Sequence, residues 1–360
     1  MAAFGSGGEV ATAWAPGRCT IVGNHVDYAG GIVLCVAIDI GVGVAVRASR
    51  DGRWRAASAG RVVERDAPAV AGDIGDRIFA AVTALRDAGF AAPPCEVAVS
   101  ATLPEAVGLA SSAALICAVL TALLRLLRVR VPATQLVDLA LHAERDIVGV
   151  PCGPLDQRAI VHAPGSGVLV LDCRSGTHST VGWPWGDDVV LCACDSGERH
   201  DVGGAGHRER RTECARVLAA FGVDSCQDLD VTAPLPTPLT PSEARRARHL
   251  VSETARSREA IDALRAGDAA TLGALMSASH ASLRDDFDVV SAGVDRIAAA
   301  ARDVAGVHGA CMVGAGFGGT VVALCDSRAA DNCNAAMRAA AGTAGSTWEF
   351  RPSAGVAVDE

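Results

Sequence analysis

The 360-residue chain contains no lysine: all 32 of its basic residues are arginine. That absence excludes a Walker-type phosphate loop, Schiff-base chemistry and a phosphotransferase of the protein-kinase type, each of which depends on a lysine amine. No CxxC pair occurs among the 13 cysteines, which are scattered through apolar segments. Such usage argues against a disulfide framework and for buried reduced thiols, so a cytoplasmic chain is expected. Cys192, Cys194, His200 and His207 could be assembled into a zinc set, yet Cys192 and Cys194 fall in a strand-like apolar run, where core thiols are the expectation. A concentrated basic face is also missing: 41 acidic residues leave a net charge of -9. Nucleic acid and anionic membranes are therefore not expected partners, and small molecules are. No basic residue precedes Arg18, and the first residues hold no continuous apolar run, so a secretory signal is not supported. The sequence carries no internal repeat and no low-complexity tract.

What is present is an apolar chain, 50% hydrophobic, long enough for two cores. A seam between Trp183 and Asp188 divides it into expected units of 1–185 and 186–360. One stretch organises the reading: LPEAVGLASSAAL, from Leu103 to Leu115. Small residues at Gly108, Ala110, Ser111, Ser112 and Ala113 let backbone N–H groups approach an anion, and an apolar helix is expected from Ala113 to Leu124. A helix N-terminus favours phosphate, and the two hydroxyls can reach phosphate or a phosphate-bound cation. A Ser-Ser N-cap ahead of a buried helix reads the same way. Val107 to Leu124 is uncharged over eighteen residues. Gly and Ser at one end and Arg125 at the other make it a buried helix rather than a membrane span.

Earlier in the chain, Ala15 to Ile40 places Arg18, Asn24, His25 and Asp27 between strand-like apolar runs. Burying Arg18 and Asp27 there is costly unless they are paired, as in an ion pair closing a turn, or face a ligand. A second helix, Leu136 to Ile147, is expected to carry Glu144. The segment Gly149 to Gln157, GVPCGPLDQ, reads as a rigid loop holding Asp156, either as a turn residue or as a functional one. The second half supplies an arginine-rich helix from His207 to Ala219, a proline-rich loop from Ala233 to Pro241, helices over Ser242–Arg265 and Asp268–Leu283, and a glycine-rich turn in GACMVGAGFGGTVVAL, Gly309 to Leu324.

Three of these stretches in this order, GRCTIVGNHVDYAGG, GLASSAAL and GAGFGGT, resemble the galactokinase branch of the GHMP small-molecule kinases. CGPLDQ, LDCRS, DSGERH, RRTEC, RARHLVSE and SHASLRDDFDV extend the similarity from Arg18 to about Leu324. The resemblance implies a two-domain α/β (α+β) fold, with an N-terminal domain like the second domain of ribosomal protein S5 and a C-terminal ferredoxin-like domain. It implies ATP- and Mg²⁺-dependent transfer of a phosphoryl group to the anomeric hydroxyl of a galactose-like or modified hexose, giving the sugar 1-phosphate. Under it, Arg18 and Asp156 match the catalytic pair, and Ser112 with Glu144 match the Mg²⁺ contacts. Gly108, Leu109, Ala110, Ser111 and Ser112 match the nucleotide-phosphate loop. Asn24, His25, Asp27, Gly153 and His207 occupy acceptor positions. In chemical terms, Asp156 would orient the attacking hydroxyl and take its proton late, while Arg18 supplies fixed positive charge.

Four positions depart from the family pattern. Asn24 stands in place of a glutamate, and His207 in place of a tyrosine, Tyr28 being the chain's single tyrosine. An amide and an imidazole also suit another polyol, such as a uronic acid, a pentose or a cyclitol, and His207 also reads as a helix cap. Ala106 and Ala110 replace a glycine and a serine in the phosphate loop. Ala106 is comfortable there at negative φ and strained at positive φ. A non-catalytic sugar and ATP sensor is the reading from a different class, opposed by the presence of Arg18, Asp156, Ser112 and Glu144. No motif marks the adenine pocket, and a monomer is the default oligomeric state.

Overall fold

In the computed structural model, residues 4–5, 7–150, 152–198, 205–232, 238–342 and 345–357 are described. His200 of the candidate zinc set, and 233–237 of the proline-rich loop, lie outside them.

The first sheet grows around one long strand. β1 (Ala11–Val22) runs antiparallel to β2 (Ile32–Ala48), with register shifts at Pro16/Gly17 and Thr20/Val22. Sequence spacing suggests two strands over Ile32–Val46, but Gly41 and Gly43 lie within the single β2. Its seventeen residues pair along the other edge with β5 (Cys95–Ala101) through Val42–Ala48 and with β6 (Val168–Asp172) through Ile32–Cys35. The hairpin β3 (Trp54–Ser58) and β4 (Arg61–Arg65) adds to β5, and β7 (His178–Val181) adds to β6. α1 (Asp76–Asp87) packs on α2 (Ser111–Leu127), which covers this sheet, lying against β1 and β2. Ile116, Leu120 and Leu123 are fully buried, each stabilising the fold by about 1.5–3 kcal/mol. That explains the uncharged run in α2. Among the described residues no helix is long and apolar enough to cross a membrane.

Two expected elements differ in detail. The helix carrying Glu144 is α3 (Ala133–Leu141), which continues as a π-helical turn over His142–Ile147. A π-turn marks an inserted residue and often accompanies a functional position. Asp156 is not on a loop: it sits in the first turn of α4 (Leu155–His162), where Pro154 occupies the N-cap position and a carboxylate suits the positive end of the helix.

The second sheet begins at β8 (Val189–Asp195), past the expected seam, and its order is β11–β8–β10–β9, all antiparallel. β9 spans Val307–Val313, β10 Thr320–Asp326 and β11 Thr347–Phe350. α5 (Ala205–Phe221) and α6 (Pro241–Ala266) precede α7 (Ala269–Asp285), α8 (Ala292–Arg302) and α9 (Ala330–Ala341). α6 starts on a capping box between Thr240 and Glu243, with Pro241 at its first position, and ends on left-handed Gly267. It spans the two units, reaching β1 and β2, where Ser257 donates to the Ile32 carbonyl at 2.8 Å.

The chain's end does not stay with the second unit. Immediately after β11, β12 (Pro352–Ser353) pairs with Ile38 and Ala37 of β2. Only Arg351 separates the two sheets there, and its Nε lies 3.1 Å from Asp187 on the outgoing crossing.

Candidate functional site

A cleft of about 1390 Å³ opens between the two units. Arg18, Asn24, His25, Asp27, Gly108, Ala110, Ser111, Ser112, Glu144, Gly153, Asp156 and His207 all line it. Leu109 is the exception. Its side chain is buried, and its carbonyl accepts from the Arg18 amide at 3.0 Å, so this residue fixes the strand rather than facing the cleft.

Arg18, on β1, is 5% exposed. Its Nε donates to Asp156 Oδ1 at 3.0 Å, Nη2 donates to the same oxygen, and Nη1 donates to the Gly108 carbonyl at 3.1 Å. Burial works against the guanidinium charge, but the Asp156 carboxylate outweighs it and holds the arginine firmly protonated. Asp27 lies in the same recess, where burial and then the charge of Asp156 push its carboxyl above the usual range. Gly153 faces it so closely that a Cβ there would stand 2.7 Å from Asp27 Oδ2, so any larger residue would have to push that carboxylate aside.

The phosphate-type loop differs from the serine-cap reading. α2 begins at Ser111, two residues before the expected start, and its N-cap is Ala110, in left-handed conformation at φ 63° without a side-chain cap bond. The hydroxyls are thereby released for other partners. Ser112 accepts from Arg77 of α1 and donates to Glu144, whose other oxygen accepts from Gln157 at 2.6 Å. Glu144 is 5% exposed, and burial raises its carboxyl pKa against the Ser112 hydrogen bond. Gly108 and Gly314 meet backbone to backbone: a Cβ on Gly314 would lie 2.9 Å from the Gly108 Cα. The second glycine-rich turn thus props the first loop, helped by Thr320 donating to the Val107 carbonyl at 2.7 Å.

Four non-glycine residues near the cleft hold positive φ: His25 at 63°, Ala106 at 58°, Ala110 at 63° and Phe317 at 59°. The left-handed region costs an ordinary residue about 1–2 kcal/mol. Ala106 therefore falls on the strained side of the sequence expectation. Replacing it with glycine is expected to raise folding stability by up to about 1 kcal/mol, after the larger entropy of the unfolded glycine chain is set against the relieved strain. Thermal unfolding of Ala106→Gly beside the parent chain measures this; a lower midpoint contradicts it.

At the far end, His25 and Asn24 are positioned from the second unit. Glu253 of α6, fully buried, accepts from the amides of Gly23 at 2.7 Å and Asn24 at 3.1 Å, from Ser279 at 2.7 Å and from Arg256 at 2.8 Å. One turn earlier, His249 is within hydrogen-bond distance of the Asn24 carbonyl and of Ser282, both at 3.0 Å. Sequence reasoning quoted this segment, RARHLVSE, without assigning it a task, because its partners lie some 230 positions away. His25 Nδ1 is 3.0 Å from the Tyr28 hydroxyl, and its buried Nε2 meets no hydrogen-bond partner of ordinary geometry among the described residues. Burial keeps this imidazole neutral, well below its ordinary range. His207 is the third residue of α5, inside the helix rather than capping it, with its ring 5.8 Å from His25 and 6.0 Å from Tyr28. Asn24 points its amide at Cys311 Sγ, 3.8 Å away.

Beyond Ser112 the cleft continues along a wall that no motif announced. Val42, Val62, Val63, Ile74, Val99, Leu103 and Leu115 supply apolar surface, with Ser58, Arg61, Asp73 and Arg77 at its margin. Val62 is 55% exposed on the β3–β4 hairpin, a surface apolar residue that only the folded chain reveals.

Residues 1–48 match the galactokinase galactose-binding signature, 76–163 the GHMP kinases N terminal domain and 260–342 the GHMP kinases C terminal domain. The galactokinase of Roseiflexus sp. (strain RS-1) is 36% identical over 329 residues, covering 86% of this chain and 82% of that protein. The galactokinase of Mycobacterium tuberculosis (strain ATCC 25618 / H37Rv) is 36% identical over 340 residues, covering 92% and 93%. Lactococcus lactis galactokinase, solved in complex with galactose, superimposes with a TM-score of 0.89 at 29% identity over 97% of this chain and 95% of that one. A mevalonate kinase shares the fold, with a TM-score of 0.73 at 15% identity over 94% and 98%.

Proposed function

Because the chain belongs to the galactokinases of the GHMP kinase family, we propose that it transfers the γ-phosphoryl group of ATP to the anomeric hydroxyl of galactose, giving galactose 1-phosphate. The observation that carries this is the meeting, in one cleft, of the Arg18–Asp156 pair, the Ser112–Glu144 pair and the loop at Gly108. In this reading Asp156 accepts a hydrogen bond from the attacking hydroxyl and receives its proton late, as the new O–P bond forms. Arg18 keeps the carboxylate aimed and sets fixed positive charge against the charge that develops on the transferring group. Asp27 and His25 orient the sugar, and Gly153 leaves room for it. The apolar wall from Val42 to Leu115 accommodates the adenine.

The donor set beside the phosphate loop suits a hard divalent cation. It consists of a hydroxyl and a buried carboxylate that lacks a full counter-charge, both oxygen ligands of the kind magnesium prefers. Ser112 and Glu144 would hold Mg²⁺, which neutralises charge on the nucleotide phosphates when bound. The buried free thiols accord with a reducing, cytoplasmic setting.

The test is a panel of hexoses, uronates, pentoses and cyclitols with ATP and Mg²⁺, read by coupled ADP detection. Galactose is expected to give the highest kcat/KM. Asn24 and His207 carry the second reading, so faster turnover of a uronate, pentose or cyclitol would transfer the assignment to that acceptor. ATP binding without ADP release from any acceptor would make the chain a sensor.

Glu253 supplies a check on how the acceptor end is built. In Glu253→Gln one oxygen becomes an NH₂ group that must face donors, leaving buried N–H groups unpaired at about 1–3 kcal/mol. Galactose affinity is expected to fall by about tenfold or more while ATP affinity, measured by calorimetry, stays within about threefold. Equal losses for both ligands would mean general destabilisation instead.

A further inference from the structure

Outside the cleft, Cys192, Cys325 and Cys333 converge from β8, β10 and α9. Their three Sγ atoms all lie within 4.8 Å of one another, the Cys192–Cys325 pair at 3.4 Å. All three are fully buried. They are free thiols, and the Ala330 carbonyl, 3.8 Å from Cys192 Sγ, is the other hydrogen-bonding neighbour among the described residues. The sheet register explains the meeting: Cys192 opposes Ala323 and Cys325 opposes Val190, so the two cysteines are diagonal neighbours on the face that α9 covers. Val190 and Ala323, which oppose Cys325 and Cys192 on the same face, and Met337, one turn beyond Cys333 on α9, are fully buried as well. His308, whose field reaches Cys325, is already within 3.0 Å of Asp326.

We propose that this trithiol is a binding site for a trivalent thiophilic metalloid, with arsenite as its probe. Two constraints select the class. First, the ligands are three sulfurs, and among the described residues no imidazole or carboxylate joins the cluster as a fourth. A structural zinc site closes with four protein ligands, whereas trivalent arsenic takes three and keeps a lone pair in the fourth direction. Second, the three thiols are fully buried among apolar side chains, where a net charge is heavily disfavoured. Three thiolates leave a charge of about -2 on Cu(I) and about -1 on Zn²⁺, but none on As(III). Binding is a condensation without redox change: arsenous acid, As(OH)₃, loses its three hydroxyls, each leaving as water with one thiol proton, and three As–S bonds form. A pyramidal centre with metal–sulfur bonds of about 2.3 Å spaces its sulfurs by about 3.5 Å, which falls within the spread of the observed triangle.

The experiment uses the full-length reduced chain. Native mass spectrometry with arsenite is expected to show one arsenic per chain, and X-ray absorption at the arsenic edge three sulfur neighbours and no oxygen. Cys333→Ala should weaken binding by at least about 100-fold, since loss of a direct ligand exceeds the roughly 10–100-fold cost of losing an outer-shell partner. Cys194→Ala, a neighbouring buried thiol outside the triangle, should leave it unchanged. If Cys333→Ala fails to fold, Cys325→Ser with circular dichroism as a folding control replaces it. No adduct on the folded chain, an adduct indifferent to both substitutions, or zinc or cuprous ion binding these thiols in preference to arsenite would overturn the proposal.

Discussion

Asp156→Asn is expected to lower kcat by about a thousandfold or more while galactose affinity stays within about tenfold, or ~1.4 kcal/mol. The asparagine keeps the shape of the side chain in the first turn of α4 and can still accept from Arg18, so the cleft retains its form. What disappears is a carboxylate able to take the hydroxyl proton. Sugar binding is buffered by a second effect. Asp27 is held above the usual carboxylate range by burial and then by the neighbouring charge of Asp156, so removing that charge lets Asp27 ionise more readily and accept more strongly from the sugar. Calorimetric titration with galactose and the coupled ADP assay together separate binding from turnover. Retention of more than about a tenth of the parent kcat would take the proton-accepting role away from Asp156.

Arg18→Lys is the companion prediction, with an expected kcat loss of about 100- to 1000-fold. The guanidinium contacts Asp156 through Nε and Nη2 and the Gly108 carbonyl through Nη1, spanning the acceptor base and the phosphate loop with one rigid fork. An ammonium is a single point of charge and cannot hold both partners in that geometry. Because the charge is retained, Asp27 and Asp156 are not left facing each other without a cation, and the fold should survive with a modest loss. Unlike Asp156→Asn, this variant should also raise the KM for ATP, since the Gly108 loop loses an anchor. An unchanged KM for ATP would show that Gly314 and Thr320 hold the loop without help.

What could be read from the sequence divides along physical lines. Arg18 and Asp27 stood out because charged residues interrupt apolar runs there, whereas Glu144 and Asp156 gained their roles only through the family resemblance; the cleft gathers all four. Local geometry was harder. The start of α2 was misplaced because alanine at a left-handed N-cap has no sequence signal, and Pro154 hid the first turn of α4 by resembling a loop. The helix over Ala330–Ala341 lies beyond the last motif that drew notice, and β12, two residues long, is too short to leave a periodic pattern. Glu253 was beyond reach for a different reason: its meaning lies entirely in donors from Gly23, Asn24 and Ser279, which only the folded chain brings together.

The return of β12 to the first sheet ties the second unit back to the one from which the chain set out. The chain leaves the first unit through 182–188 and comes back through Arg351, and the Arg351–Asp187 contact places these two crossings side by side. Drawing the halves apart would have to peel that strand from β2 as well as break the bonds of Glu253, Ser257 and Thr320 across the boundary. The chain's last strand is thus one more tie that holds the two walls of the cleft in register.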